Sequence, residues 1–223
     1  AVTPSAFCKA EKLKAELLRT FPNAVFNERG RYLTEAETIE FFRDADAALV
    51  GLDAINDNVL AALPRLKIVS KYGVGLDNID QESMTRHGVT LGWKGGVNKR
   101  SVAELTLCFM LGLCHNVFSE GYKLKKDLGW REDGGRLLTG KTVGIIGCGH
   151  TGKEVARLLR PFDCRILVRD ILEMSAFCRE VGAEEVHQEK LISESDIVTL
   201  HVPLTPLTKH MVNAAFLNAM KPT

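Results

Sequence analysis

The stretch KTVGIIGCGHTGKEVARLLRPFDCRILVRD occupies residues 141–170. Its apolar run at 142–146 predicts a buried strand, the apolar positions within 151–159 have the spacing of an amphipathic helix, and 164–168 predicts a second strand. A glycine-rich turn joins the first strand to the helix. The order strand, helix, strand is that of a parallel βαβ unit, so this stretch predicts an α/β fold with a parallel sheet.

Three glycines in the turn fall at G-x-G-x-x-G spacing. Gly147 suits the tight turn, Gly149 lets the backbone approach a pyrophosphate, and Gly152 lets the helix pack close to the strand. Unpaired N–H groups at the start of that helix favour a phosphate. Asp170 follows Gly152 by 18 residues, where its carboxylate can accept both hydroxyls of an adenosine ribose. The pattern predicts a dinucleotide-binding site rather than a glycine turn without a ligand.

The end of the second strand also bears on the choice of dinucleotide. The carboxylate of Asp170 repels the 2′-phosphate of NADP, so the sequence predicts NAD as the cofactor. NADP stays an alternative, because the guanidinium of Arg169, next to Asp170, can turn toward such a phosphate.

The composition limits what this chain binds. A formal net charge of +1 over 223 residues gives no electrostatic case for nucleic acid or for an anionic membrane. No run approaches the ~18 apolar residues of a membrane span. The six cysteines include no CxxC pair, so we expect reduced thiols in a cytoplasmic protein and no metal site.

Residues 1–92 alternate short apolar runs with helical stretches, which predicts a parallel sheet covered by helices. We expect strands at residues 1–4, 24–26, 46–51, 66–70 and 89–91. We expect helices at residues 6–19, 34–42 and 56–63, and another that ends near residue 87. Thr34 with Glu37 three residues later forms a capping box in this pattern.

The segment 72–78 is a second candidate site. Two glycines, Gly73 and Gly75, stand between a strand and a helix start, where backbone N–H groups can hold a substrate carboxylate. The alternative is a structural turn in which Asp77 or Asn78 caps the helix. From these residues alone, the structural turn is the favoured interpretation.

A hinge is predicted at 92–98, where WKGGVN carries two glycines and few apolar residues. A long helix is expected at 101–115, with Ser101 as its cap and Glu104 three residues later. Because this helix is apolar nearly all round, we expect it to be buried between two lobes or at a subunit contact. Trp130 is the predicted anchor of the polar, glycine-bearing segment that follows.

After Asp170 the pattern predicts helices at 172–181 and 214–220 and strands at 184–186 and 196–200. Ligands of open α/β sheets sit at the carboxyl ends of the strands. His201, Pro203 and Thr208 follow the last strand and are therefore expected near the cofactor.

Four segments together resemble the D-isomer-specific 2-hydroxyacid dehydrogenases, and among them the phosphoglycerate dehydrogenase-like members. They are KYGVGLDNID (71–80), VNKRSVAELTL (97–107), LTGKTVGIIGCGHTGKEVARLL (138–159) followed by Asp170, and SESDIVTLHVPLTPLTKHMVN (193–213). The resemblance covers essentially the whole chain, and four motifs in order are more specific than any one alone. Gly95-Gly96 departs from the family's frequent Pro-Gly, and Cys114-His115 from its usual Ala-Arg.

The resemblance implies a flavodoxin-like substrate lobe at residues 1–97. It also implies a Rossmann-type, doubly wound NAD-binding domain at 98–223, entered through the long helix, with a homodimer across that helix. Backbone groups near Val74 and Gly75 would hold the carboxylate of a small 2-hydroxy or 2-oxo acid. The implied contacts of NAD are His150 and Thr151 in the glycine loop, Asp170, and the segment from His201 to Thr208.

The family's catalytic arginine follows a further strand, and its glutamate and histidine come later still. The resemblance therefore places all three beyond Thr223, and we expect the chain to be a fragment with a truncated sheet and the binding half of the site. Within the chain His201 is the obvious candidate for a general base. It stands, however, where the family motif packs against the cofactor.

The primary hypothesis is an NAD-dependent oxidoreductase that transfers a hydride between a D-2-hydroxy acid, such as D-3-phosphoglycerate, and the nicotinamide. One alternative is a non-catalytic NAD(H)-sensing corepressor on the same scaffold, and another is a glyoxylate or hydroxypyruvate reductase. Lys71, Lys99 and Arg100 could serve a substrate phosphate, but scattered cations on a surface indicate solvation.

Overall fold

The computed structural model describes residues 1–129 and 134–222, and Trp130, the predicted anchor, lies outside them. The chain divides into two compact units, Ala1–Val97 and Asn98–Thr223. Each unit is an α/β structure built on parallel strands, which confirms the predicted fold class.

Helices and strands alternate along the first unit. They are α1 (Ser5–Cys8), α2 (Glu11–Thr20), α3 (Glu35–Phe42), β1 (Ala47–Val50), α4 (Asp57–Ala62), β2 (Ile68–Lys71), α5 (Gln81–Arg86) and β3 (Thr90–Gly92). The sheet has the order β1-β2-β3, and Val2 extends it by parallel bridges to Leu49 and to Phe26. In chain order the extended segments are therefore arranged 2-1-3-4-5, the order of a flavodoxin-like sheet.

Local sequence signals explain most of the first unit. The capping box of α3 is present, because the Thr34 hydroxyl accepts from the Glu37 N–H and the Glu37 carboxylate accepts from the Thr34 N–H. The single helix predicted at 6–19 is wrong, since Ala10 is extended and separates α1 from α2. This break leaves Phe7 buried, edge-on to the ring of Tyr72 at a centroid distance of 5.5 Å.

The second unit begins with two helices and continues as a βαβ succession. Its elements are α6 (Lys99–Cys114), α7 (Val117–Lys125), β4 (Thr142–Ile146), α8 (His150–Leu159), a 3-10 turn (Arg160–Phe162), β5 (Arg165–Arg169), α9 (Ser175–Val181), β6 (Glu184–Glu185), α10 (Gln188–Glu194), β7 (Ile197–Leu200) and α11 (Ala214–Ala219). The parallel strands have the order β6-β5-β4-β7. This arrangement is 3-2-1-4 in chain order, as in the doubly wound dinucleotide fold.

Strand β4 is the centre of this unit, and all of its residues are buried. Val143 and Ile145 belong to one apolar cluster that also contains residues of α6, α8 and α9. Ile146 belongs to a second cluster with residues of α10 and α11. Helices therefore cover both faces of the sheet, which is why apolar and polar residues do not alternate along β4.

The predicted cap of the long helix is wrong. Helix α6 begins at Lys99, and neither Ser101 nor the N-cap residue Asn98 supplies a side-chain cap. A capping box at Ser101 would use the Glu104 carboxylate, but this carboxylate accepts from the Arg100 guanidinium at 2.7 Å. Part of the helix surface is exposed, including Leu105, Phe109 and Leu113.

Within the described residues no single helix is long and apolar enough to cross a membrane. Helices α6 and α7 meet that test of length and composition only when taken together, with a bend of 70° between them.

Candidate functional site

In the glycine turn after β4, the backbone at Gly147 lies directly against the backbone at His201, just after β7. Gly147 has a φ of +89°, and a Cβ there would lie 2.6 Å from the carbonyl oxygen of His201. The His201 N–H in turn donates to the Ile146 carbonyl at 2.8 Å. Only glycine permits this conformation and this approach, so the end of β7 is held directly against the turn.

The other two glycines of the turn have different surroundings. A Cβ at Gly152 would lie 2.2 Å from the Gly147 carbonyl oxygen, so α8 packs on the turn at a distance that excludes any side chain. A Cβ at Gly149 would meet no atom within 4 Å. Gly152 is thus required by the packing, whereas Gly149 leaves an open face on the turn.

The start of α8 has the properties of an anion site. Its N-cap is Gly149, no side chain caps it, and its first turn contains no acidic residue. His150 and Thr151, both predicted cofactor contacts, are the first residues of this ten-residue helix. The partial positive charge of the helix start therefore meets no negative side chain from its own first turn, which suits a pyrophosphate.

Asp170 lies next to the glycine turn, directly after β5. One carboxylate oxygen accepts from the Cys148 N–H at 2.6 Å, and the other accepts from the Leu172 N–H at 3.0 Å. The backbone beside it is also fixed, since the Gly147 N–H donates to the Arg169 carbonyl at 2.8 Å. The half-buried acid is therefore held at the turn, and each carboxylate oxygen has further lone pairs for a ribose hydroxyl.

Cys148 occupies the middle of the first G-x-G. Its side chain is fully buried, and that burial raises the pKa of the thiol to about 12. The thiol is therefore neutral at physiological pH and brings no negative charge to the turn.

The segment after β7 is ordered by its own hydrogen bonds. The Thr208 hydroxyl donates to the Pro203 carbonyl at 2.6 Å and accepts from the Thr205 N–H at 2.8 Å. One ring nitrogen of His201 pairs with the Thr199 hydroxyl at 3.1 Å, and burial lowers the pKa of this imidazole. The His201 ring is therefore neutral at physiological pH, and its Nε2 is hydrogen-bonded to Thr199 in the preceding strand.

The second candidate site lies in the first unit, after β2. A cavity of about 300 Å³ is lined in part by residues 73–75 and by the half-exposed side chains of Tyr32, Leu52 and Tyr72. The Val74 carbonyl accepts from the Trp93 indole N–H at 3.0 Å. The cavity thus contains the predicted carboxylate-binding residues Val74 and Gly75 within a mostly apolar wall.

Neither Asp77 nor Asn78 caps α5. The cap is Asp80, whose carboxylate accepts from the Ser83 N–H at 2.9 Å. Asn78 is used elsewhere, because its side-chain amide donates to the Asp53 carbonyl at 2.6 Å. The structural interpretation of this turn therefore named the wrong capping residues.

Lys71 is a functional candidate that sequence reasoning placed on the surface. It is only 9% exposed, and its ammonium donates at 2.5 Å to both the Gly51 carbonyl and the Asn78 side-chain carbonyl. Its position at the carboxyl end of a strand was the signal available. Arg100, in contrast, is exposed and forms ion pairs with Glu104 and Glu154.

The model of the family described as D-isomer specific 2-hydroxyacid dehydrogenase, NAD binding domain, matches residues 107–223. The chain belongs to this family. Its second unit is therefore the family's NAD-binding domain, and the open glycine turn, the uncapped helix start and Asp170 fit that cofactor.

Similar proteins in this family include two kinds of enzyme. The chain is 37% identical to a glyoxylate reductase of Korarchaeum cryptofilum over 193 residues, which cover 83% of the chain and 58% of that protein. It is 33% identical to a D-3-phosphoglycerate dehydrogenase of Methanocaldococcus jannaschii over 192 residues, 85% of the chain and 37% of that protein. The chain thus spans less than two thirds of these relatives.

Solved structures of the family share the fold. The D-lactate dehydrogenase of Aquifex aeolicus, complexed with NAD and lactic acid, superposes with a TM-score of 0.83 at 25% identity. That match covers 99% of the chain and 65% of the solved protein. The apo D-lactate dehydrogenase of Escherichia coli gives a TM-score of 0.79 at 27% identity, with coverage of 99% and 70%.

Asp170→Ala removes the predicted ribose acceptor and the partner of the Cys148 N–H. We expect the affinity for NADH to fall about five- to thirty-fold, as for the loss of ~1–2 kcal/mol in hydrogen bonds to a charged group. Discrimination against NADPH should weaken as well. Calorimetric titration with both nucleotides measures this, with Glu173→Ala as a control that removes an exposed carboxylate nearby. An unchanged preference for NADH contradicts the ribose assignment.

Gly149→Val and Gly152→Val should separate ligand binding from folding. A side chain at 149 meets open space, so this variant should keep its Tm but lose NADH binding by blocking the pyrophosphate approach. A side chain at 152 meets the Gly147 carbonyl, so that variant should have a lowered Tm. Thermal scans and NADH titrations measure both effects. Wild-type NADH affinity in a folded Gly149→Val protein would mean that the turn is not the phosphate cradle.

Proposed function

We propose that the complete protein containing this chain is an NAD-dependent oxidoreductase that interconverts a D-2-hydroxy acid and its 2-oxo acid. The observation that carries this proposal is the turn at 147–152, open at Gly149, beside the anchored carboxylate of Asp170. Membership of the 2-hydroxyacid dehydrogenase family supports the reaction class.

In this reaction the residues of this chain would bind and orient the cofactor and the substrate. When bound, the nicotinamide supplies or accepts the hydride. The start of α8, with His150 and Thr151, would hold the pyrophosphate, and Asp170 would hold the adenosine ribose. The segment after β7, with His201, Pro203 and Thr208, would pack beside the cofactor. In the first unit, backbone N–H groups near Val74 and Gly75 would bind the substrate carboxylate.

Within this reaction we favour a small 2-oxo acid, such as glyoxylate or hydroxypyruvate, over D-3-phosphoglycerate. Lys71 is the only cation among the described residues that line the cavity, and its ammonium is turned inward onto two carbonyl oxygens. A phosphate placed against Tyr32, Leu52 and Tyr72 would lose hydration without a charged partner from that wall. Relatives of 34–37% identity are named as glyoxylate reductases, which supports the same choice.

The reaction is tested by NADH oxidation with the purified complete protein. We expect NADH-dependent reduction of glyoxylate or hydroxypyruvate, a lower kcat/KM with 3-phosphohydroxypyruvate, and weaker activity with NADPH. Absorbance at the NADH band follows each reaction, and omission of the 2-oxo acid provides the blank. A protein that binds NADH but reduces none of these acids would instead be the non-catalytic NAD(H)-sensing regulator.

We further propose that the protein is a homodimer across α6 and α7. Large apolar side chains on these helices are half-exposed or more, including Phe109, Leu113, Phe118 and Tyr122. Exposed apolar surfaces of this kind mark association sites, because covering them removes apolar area from water. A second copy that presents the same face would cover them by twofold symmetry.

The double variant Phe109→Glu/Leu113→Glu should convert the dimer into a monomer, because each charge would have to be buried in the apolar interface. Light scattering after gel filtration measures the mass of each species. Leu217→Glu, at an exposed apolar residue of α11, is the matched control and should leave the mass unchanged. A double variant with the wild-type mass means that subunits associate elsewhere, if at all.

A further inference from the structure

The loop at 72–77 is closed at its base by a side-chain contact. Lys71 is the last residue of β2, and its ammonium donates to the Asn78 side-chain carbonyl at 2.5 Å. The residues on the two sides of the loop are therefore joined directly. The same ammonium donates to the Gly51 carbonyl at 2.5 Å, which ties the closed loop to the end of the neighbouring strand β1.

Asn78 extends this contact into a network. Its amide donates to the Asp53 carbonyl at 2.6 Å and to the Gly51 carbonyl at 3.3 Å. The Asp53 carboxylate is in turn buried and accepts from the Thr3 hydroxyl at 2.5 Å and from the Leu33 N–H at 2.9 Å. The base of the loop is thus fixed to two other segments of the first unit, the chain start and the region before α3.

The loop contains two glycines, which restrict its backbone little. Gly73 has a φ of +138°, and a Cβ there would lie 3.5 Å from the Cε atom of Lys71. Gly75 adds a second residue without a side chain. Glycines allow many backbone conformations, so a defined array of N–H groups at Val74 and Gly75 needs an external constraint. The Trp93 indole, which donates to the Val74 carbonyl at 3.0 Å, provides one such constraint, and the contact of Lys71 with Asn78 provides a second at the base of the loop.

The charge of Lys71 is engaged within the protein. The acceptors that the ammonium contacts are uncharged carbonyl oxygens. Burial lowers the pKa of Lys71, while Asp77 and Asp53 act in the opposite sense. The ammonium is thus bonded to carbonyl oxygens, with the carboxylates of Asp53 and Asp77 acting on it as well, so it would favour a bound carboxylate through the loop that it holds and not by direct contact.

We propose that Lys71 is a positioning residue: it locks the loop at 72–77 in the conformation that binds the substrate carboxylate, and it does not bind the rest of the substrate. This inference rests on the proposed function, because it assigns the cavity to a 2-oxo acid. It differs from a direct phosphate-binding role, in which the ammonium would have to leave both Gly51 and Asn78.

The test compares Lys71→Met with wild type in the complete protein. We expect the KM for glyoxylate and for 3-phosphohydroxypyruvate to rise by the same factor, about ten-fold or more for a lost charge-assisted contact. The change in kcat should be smaller, because the carboxylate is bound in the ground state and the transition state alike. The affinity for NADH should not change. Lys67→Met, at an exposed lysine just before β2, is the matched control and should leave all values unchanged.

A second measurement does not depend on turnover. Amide hydrogen exchange at residues 72–77 should be faster in Lys71→Met and in Asn78→Ala than in wild type, with exchange in the second unit unchanged. Asn78→Ala also keeps the inference testable if Lys71→Met does not fold, since it breaks the same contact and should raise KM in the same way.

Two results would overturn the inference. One is unchanged KM and unchanged exchange in a folded variant, and the other is a KM increase confined to the phosphorylated substrate, which would assign the ammonium to its phosphate. The wild type tests the proposed function separately. If it reduces no 2-oxo acid, that function fails, while the exchange measurement still decides whether Lys71 locks the loop.

Discussion

The second unit depends on the close approach of three backbone segments at Gly147. The missing side chain at Gly147 leaves room for the His201 carbonyl, and the missing side chain at Gly152 leaves room for the Gly147 carbonyl. Strand β7 and helix α8 are therefore both fixed against one turn. Because α8 cannot shift without a clash, its unpaired N–H groups emerge at a defined place, as binding of a diphosphate requires.

The first unit reaches a similar result by different means. Its loop at 72–77 also follows a parallel strand and also contains glycines, but no comparable backbone contact appears at Gly73 or Gly75. A buried lysine and an asparagine close the loop instead. Steric exclusion fixes the glycine turn of the second unit, whereas hydrogen bonds fix the loop at 72–77, so we expect a single substitution at Lys71 or Asn78 to loosen this loop.

Sequence patterns predicted the parts of the chain in which one local signal dominates. The apolar run of β4, the glycine spacing and the capping box at Thr34 each correspond to a single physical requirement, and all three are present. The predicted cap at Ser101 is wrong because α6 begins two residues earlier, at Lys99. The predicted cap at Asp77 or Asn78 is wrong because Asp80 caps α5, while the Asn78 amide contacts the Asp53 carbonyl, 25 residues earlier in the chain.

Lys71 shows most directly why a site cannot be read completely from sequence. A lysine at a strand end is ordinarily solvated, so its type and neighbours indicated the surface. It is buried because the carbonyl of Gly51, which lies 20 residues earlier in the chain, supplies an acceptor. Long-range backbone acceptors leave no trace in residue types. Polar residues that are buried by tertiary contacts are therefore the part of a site that composition and spacing miss.

In the proposed function, the charges around the glycine turn would attract a diphosphate and exclude a further phosphate. The start of α8 has no acidic residue in its first turn, and Cys148 is neutral, so the field there favours an anion. Asp170 places a carboxylate against the Cys148 N–H of the turn. Its carboxylate accepts from the Cys148 N–H and would also repel a phosphate on the ribose. The preference for NAD over NADP and the shape of the turn would therefore both depend on Asp170. A change to NADP would require the loss of the Asp170 charge and also a new acceptor for the Cys148 N–H.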